Sequence, residues 1–212
     1  MKGIALVRAA SIWIALAIVI AVPIVAAASS PLLAWRDPIY IAAGFAGVVG
    51  LAIMLVQPLL IGGYFMGLSP YRARHVHRWT GAALVAAVVN HIAGLWITSP
   101  PDVIDALLFT SPTPFAAWGV IAMWAILAVA FMVALRQRLG LRPRTWRMVH
   151  TSLVAVIVVG NIFHSLLIQG TMETVSTTGL CALLLVATIK VIADIRVWRA
   201  RRTARGEVSP VE

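Results

Sequence analysis

The sequence predicts an all-α integral membrane protein, a bundle of six transmembrane helices with both termini in the cytoplasm. Three observations support this fold class. The 212 residues are 61% hydrophobic and only 11% charged, with a mean hydropathy of +0.96, whereas a soluble domain would need more polar surface. The chain contains six apolar runs of about 18 residues or more, the length that crosses a bilayer. Basic residues fall on alternate connections between these runs.

The six predicted helices occupy almost the whole chain, so we expect one membrane domain, residues 1–198. Residues 199–212 should form a basic cytoplasmic tail that is disordered. The connection at 98–114 contains the segment DVIDALLF, which could form a short helix at the membrane interface. The helices are predicted near 5–28, 39–65, 77–97, 114–135, 147–168 and 175–196.

The first apolar run has an alternative interpretation, because its end, AVPIVAAASS, resembles a signal-peptide cleavage site with small residues. The run of about 20 residues is longer than the hydrophobic region of a signal peptide, which is about 7–15 residues. We therefore expect the first helix to be retained. Cleavage, the alternative, would not change the orientation of the other five helices.

The net charge of +10 would suggest nucleic-acid binding in a soluble protein, but its distribution is typical of a membrane protein. Of the 17 Lys and Arg residues, all but Arg36 lie at the chain ends or on alternate connections. Basic residues are retained on the cytoplasmic face, so both termini should be inside. We expect a multi-pass protein that lies in the lipid bilayer of a bacterial inner membrane and does not bind nucleic acid. The opposite side carries Asp37, Asp102, Asp105 and Glu173.

Two segments, HRWTGAALVAAVVNH and HTSLVAVIVVGNIFH, each begin and end with a histidine, at the same interval. On an α-helix this interval returns to within about 40° of the starting direction after a rise of about 21 Å. His77 and His91 therefore share one face of the third helix, and His150 and His164 share one face of the fifth. Both helices run outward, so His77 should meet His150 near the cytoplasm. His91 should meet His164 nearer the outside.

A histidine inside a membrane is costly and usually faces a partner in the bundle interior. Imidazoles that meet across a bundle at two depths suit two stacked, six-coordinate haems, since bundle cores hold such groups between facing helices. The sequence therefore predicts two haems between the third and fifth helices. An alternative from another class of protein is a haem-free transporter in which the histidines relay protons.

The fifth histidine and two glycines lie close to these pairs in the sequence. His75 is rotated about 160° away from His91 on the helix, so we expect a solvated residue of the basic turn. Gly81 and Gly94 could give clearance to a flat macrocycle. Alternatively, they only allow close helix packing, as small residues do in membranes.

Polar residues near the pairs also have two interpretations. Arg78, Arg144 and Arg147 could bind haem propionates, although the preference of basic residues for the cytoplasmic face explains them as well. Asn90 and Asn161 could orient an imidazole or bond another helix. Tryptophans near helix ends are expected to anchor the protein at the interface; they include Trp79, Trp96, Trp118, Trp146 and Trp198.

Over about residues 38–196 the chain resembles the ferric reductase-like transmembrane domain family. The resemblance rests on HRWTGAALVAAVVNH, on LRPRTWRMVH and on the second histidine pair in the fifth helix. This family includes the membrane cores of NADPH oxidases and ferric-chelate reductases, and the haem subunit of a bacterial periplasmic methionine sulfoxide reductase system. The resemblance implies two haems b that carry electrons across the membrane. Their axial ligands would be His77, His91, His150 and His164.

The chain differs from the oxidases and ferric reductases, which usually carry a cytoplasmic FAD- and NADPH-binding domain after the sixth helix. Residues 199–212 leave no room for such a domain, and the chain has no GxGxxG segment. We therefore expect an oxidoreductase component whose electron donor is a separate flavin reductase or a quinol. FMN or FAD would be supplied by that partner or shared with it.

The acceptor is expected to be a periplasmic redox protein, ferric iron or another small oxidant. Two alternatives within the same class of protein stay open. One is the haem subunit of a periplasmic sulfoxide reductase. The other is a quinol-linked cytochrome b that anchors a catalytic subunit.

Overall fold

All regular structure in the described residues is helical. The computed structural model describes residues 2–170 and 172–204, with side chains for 6–170 and 172–195. In these ranges it has eight α-helices, a short 3-10 helix at Pro31–Leu33 and no strand. The α-helices are α1 Lys2–Ala28, α2 Pro38–Ile61, α3 Pro70–Thr98, α4 Pro100–Leu107, α5 Pro114–Ala134, α6 Arg136–Leu139, α7 Pro143–Leu167 and α8 Thr174–Ala204.

Six of these helices are long and apolar enough to cross a membrane, as predicted, so the chain is a multi-pass helical membrane protein. The short helix expected in the long connection is present as α4. Residues 199–204 of the predicted tail continue α8, and 205–212 lie outside the described residues. The spanning segments are Leu6–Ala28, Pro38–Ile61, Pro70–Thr98, Pro114–Ala134, Pro143–Leu167 and Thr174–Ile195.

Local signals explain where the spanning helices begin and end. α3 begins at Pro70 rather than near 77, because the Ser69 hydroxyl caps its first turn and proline suits the first helical position. α7 likewise begins at Pro143 rather than near 147. α2 ends at Ile61 rather than near 65, because two glycines follow and Gly63 has a φ of 72°. The polar residues that were predicted to precede the third and fifth spans are therefore the first turns of α3 and α7.

Two antiparallel hairpins form most of the helix packing. α2 packs against α3 in the first hairpin, and α5 packs against α7 in the second. At Gly94 an added Cβ would lie 2.7 Å from the Cβ of Ala43, and at Gly160 it would lie 3.0 Å from the Cβ of Ala122. Such close approach needs small residues. Gly94 therefore serves helix packing, the simpler of its two predicted roles.

The last helix, α8, completes the core beside both hairpins. It contacts α2 and α7, and its Leu180 and Leu184 are the largest fully buried side chains among the described residues. The thiol of Cys181 is also buried there. The core consists of Leu51, Met54, Leu55, Leu84, Ala125, Ile126, Ile157, Val158, Leu180, Cys181, Leu184 and Ala187.

The core position of α8 can be tested with Leu184→Ala. Leu184 has 0% of its surface exposed, so truncation leaves a cavity and should lower the free energy of unfolding by about 2 kcal/mol. This is the lower end of the usual cost, because lipid is as apolar as the core and the transfer contribution is small. The readout is thermal unfolding in detergent.

Leu183→Ala is the matched control. The Leu183 side chain is 44% exposed and should face lipid, so its truncation should change the unfolding temperature little. An equal loss of stability in both variants would contradict the assignment of the core face of α8.

Candidate functional site

Four histidines face one another across the space between α3 and α7. These two helices make few close backbone approaches to each other, because each packs mainly on its own hairpin partner. The structure brings together the pairs that the sequence predicts, His77 with His150 and His91 with His164. We call them the basic-end pair and the far-end pair. The basic end is the end of the bundle where α3 and α7 begin, and it carries Arg72, Arg74, Arg136, Arg138, Arg142 and Arg144.

The spacing within each pair matches a metal ion held between two imidazoles. The ring centres are 6.4 Å apart in both pairs, and the ring planes are inclined by 71° at the basic end and 83° at the far end. Two metal–nitrogen bonds of about 2.0 Å, plus about 1.2 Å from each nitrogen to its ring centre, give about 6.4 Å. Two imidazoles joined directly by a hydrogen bond would have centres only about 5.3 Å apart.

In the far-end pair, one nitrogen of each ring is hydrogen-bonded to a neighbouring helix. Nδ1 of His91 lies 2.7 Å from the Ala43 carbonyl oxygen, and Nδ1 of His164 lies 2.9 Å from that of Phe115. A carbonyl oxygen can only accept, so each Nδ1 carries the proton. Nε2 then has the free lone pair, as a neutral imidazole ligand to a metal requires.

The basic-end pair lacks these bonds. Nδ1 of His77 and Nδ1 of His150 are both buried without a hydrogen-bond partner. The backbone carbonyl of Gln57 lies beside the His77 ring, but it does not form a hydrogen bond of normal geometry with Nδ1. Buried polar groups are nearly always satisfied, so two unpartnered Nδ1 atoms at one level of the bundle set this pair apart from the far-end pair.

In the basic-end pair, His150 instead has an aromatic contact, which sequence reasoning missed. The Trp146 ring lies nearly parallel to that of His150, at 9° with ring centres 6.2 Å apart. The guanidinium of Arg136 sits 4.7 Å from the centre of the Trp146 ring. The sequence signal was present, since Trp146 precedes His150 by one helical turn and must share its face. Trp146 therefore supports a ligand candidate besides lying near a helix end.

Glycines beside the far-end pair also went unpredicted. An added Cβ at Gly119 would lie 2.6 Å from Nδ1 of His164, and one at Gly47 would lie 3.2 Å from Nδ1 of His91. By contrast, a Cβ at Gly81 would meet only the Gln57 amide, at 3.6 Å. Gly47 and Gly119 lie on the partner helices α2 and α5, where no spacing relative to a histidine could identify them.

The predicted arginines lie at the basic end. Arg78 follows His77 directly, Arg147 precedes His150 by three residues, and both arginines are exposed. Among the described side chains, the ion pair found is Lys190 with Asp194 on α8, so neither arginine is neutralised by a carboxylate there. Both are available to an anionic group.

Three predicted polar residues lie outside the pairs. Nδ2 of Asn161 donates to the Ile157 carbonyl of its own helix at 2.9 Å, so it neither orients an imidazole nor bonds another helix. Asn90 is exposed. His75 is exposed as expected, and its Nε2 accepts a hydrogen bond from Nε1 of Trp79 at 3.0 Å.

The number of metal-ligating side chains near each pair limits the kind of metal ion that the pair can bind. In the described part of the chain, no group of three or more His, Cys, Asp or Glu side chains could hold a metal ion. A four-ligand site built from protein alone, as structural zinc requires, is therefore not formed by these residues. Two opposed imidazoles suit an ion that brings its other ligands with it, as haem iron does.

Comparison with known proteins adds no family assignment. The chain matches no protein-family model, no curated protein and no solved structure. The resemblance to ferric reductase-like proteins therefore stays a prediction from the motif residues, and the geometry of the histidine pairs has to support a function by itself.

Proposed function

We propose that this protein is a membrane b-type cytochrome of the ferric reductase-like class, which passes electrons across the bilayer through two bis-histidine haems. One observation carries the proposal. Two histidine pairs at different depths of one spanning bundle have ring centres 6.4 Å apart, the separation that an axially ligated metal needs. A direct proton relay within a pair is disfavoured, since the rings are too far apart to bond each other.

The orientation follows from charge. With the basic end in the cytoplasm, His77 and His150 would lie near the inner surface of a bacterial inner membrane, and both termini would be inside. The far-end pair, His91 and His164, would lie nearer the periplasm. Electrons would then enter at the basic end and leave at the far end.

Each site residue has a role in this proposal. The four histidines would be axial ligands, and Arg78 and Arg147 would bind propionates at the basic end. The haems would supply a one-electron carrier at each depth. The stack of Arg136, Trp146 and His150 would limit rotation of the basic-end ligand.

The donor and acceptor are proposed by class. The donor would be a separate flavin reductase with FMN or FAD, or a quinol. The acceptor would be ferric iron, a small oxidant or a periplasmic redox protein. The last of these would make the chain the haem subunit of a periplasmic reductase, such as one for sulfoxides. A quinol donor would make it a cytochrome b that anchors a catalytic subunit.

Haem content is the first test. Because two matched pairs exist, a pyridine haemochrome assay should approach two haems b per polypeptide. A well-loaded preparation with one haem would make one pair structural. Purified protein without haem absorbance would refute the cytochrome and favour the haem-free transporter.

The register of α3 gives a second prediction. His75→Ala should keep both haems, because His75 is exposed and bonds only to Trp79 among the described contacts. His77→Ala should lose one haem, because His77 faces His150. Absorbance per polypeptide distinguishes the two variants. Haem loss in His75→Ala but not in His77→Ala would show that the register is wrong.

The two depths give a third prediction, measured in inverted vesicles with a donor at the basic end and an impermeant acceptor at the far end. His164→Ala should leave the basic-end haem reducible but stop reduction of the acceptor. His150→Ala should block reduction of the far-end haem by the same donor. Reduction of that haem at the normal rate in His150→Ala would contradict a relay through both sites.

A further inference from the structure

The two far-end histidines are held by the same local construction on different helices. Ala43 accepts from His91, and the residue one turn later on α2 is Gly47. Phe115 accepts from His164, and the residue one turn later on α5 is Gly119. In an α-helix the carbonyl of residue i already accepts from the N–H of residue i+4. Each imidazole therefore shares an acceptor with the N–H of a glycine.

Only glycine leaves room for this arrangement. A Cβ at Gly119 would lie 2.6 Å from Nδ1 and 2.9 Å from Cε1 of His164. A Cβ at Gly47 would lie 3.2 Å from Nδ1 and 3.4 Å from Cε1 of His91. Any other residue at position 119 would have to displace the imidazole from its carbonyl, and a larger residue at 47 would push on it less severely.

The basic-end pair has this construction only in part, since the backbone carbonyl of Gln57 lies beside the His77 ring without hydrogen-bonding geometry. Moving along α2 and α5 by the histidine interval leads from Ala43 to Gln57 and from Phe115 to Val129. The residues one turn after these are Ile61 and Val133, which carry branched side chains. The basic-end Nδ1 atoms are correspondingly unpartnered.

We propose that Gly47 and Gly119 are positioning residues that hold the far-end imidazoles on the Ala43 and Phe115 carbonyls, and thereby give the far-end haem a lower reduction potential than the basic-end haem. This inference rests on the proposed function. A hydrogen bond from Nδ1–H to a carbonyl makes the imidazole more basic, and a more basic ligand stabilises ferric iron.

The distribution of charge also favours a lower reduction potential at the far-end haem than at the basic-end haem. Reduction adds an electron, so nearby cations favour it. The arginines of the basic end, including Arg78 and Arg147, lie close to the basic-end pair only. The hydrogen bonds to the Ala43 and Phe115 carbonyls lower the potential of the far-end haem, while the cationic surroundings raise that of the basic-end haem.

A redox titration of the purified, haem-loaded full chain tests the proposal. The wild type should show two components, and His164→Ala should lose the lower-potential one, which identifies it as the far-end haem. Gly47→Ala should shift that component to more positive potential and leave the other unchanged. Gly119→Ala should shift it further or release the far-end haem, because its Cβ would come closer to the ring.

A glycine variant on α2 separates positioning from packing. In Gly50→Ala, on the same helix as Gly47, the Cβ makes ordinary contacts with Leu84 at 3.7 Å and Ala87 at 3.9 Å. This variant should keep the wild-type potentials.

The outcomes distinguish this inference from the proposed function. A wild type without two haems would defeat the proposed function. Two haems with the far-end component at the higher potential, or with unchanged potentials in Gly47→Ala and Gly119→Ala, would overturn the inference alone. An equal shift in Gly50→Ala would also overturn it, because the effect would then come from helix packing.

Discussion

A neutral imidazole has one donor and one acceptor nitrogen, and in an apolar bundle both need a partner. This requirement determines the arrangement around all four histidines. At the far end, backbone carbonyls satisfy Nδ1 of His91 and His164, which leaves Nε2 free for a metal. At the basic end, Nδ1 of His77 and His150 has no partner among the described residues. The two pairs thus have the same ring-centre separation, but only the far-end pair is hydrogen-bonded to neighbouring helices.

The two hairpins explain why the spacing is equal. Each pairs a histidine-bearing helix, α3 or α7, with an antiparallel helix, α2 or α5, that approaches it closely through small residues such as Gly94 and Gly160. Because α3 and α7 pack on these partners rather than on each other, their backbones stay apart at the levels of both histidine pairs. The close packing within each hairpin therefore gives both histidine pairs the same ring-centre separation.

Much of this architecture could be predicted from the sequence, because hydrophobic runs and a helical period are local properties. The six spans, the short helix α4 and the pairing of the histidines all follow from length, charge and rotation. Gly47 and Gly119 did not follow, since their role depends on which helix lies behind each imidazole. Trp146 could have been found from its spacing to His150, but its place near a helix end favoured an interface anchor.

The unequal support has a consequence for how the sites respond to their surroundings. The far-end rings are held by backbone atoms, whose positions are set by helix geometry and change little with side-chain substitution. The basic-end ring of His150 is held by side chains, with Trp146 stacked on it and Arg136 over Trp146 at the exposed end of the bundle. A group that binds Arg136 would therefore act on His150 through Trp146. At the far end the Phe115 ring also contacts His164, with ring centres 5.8 Å apart, but this contact comes from the helix that supplies the carbonyl and lies at the opposite end of the bundle from Arg136. Binding at the basic end would therefore act on His150 more directly than on either far-end histidine.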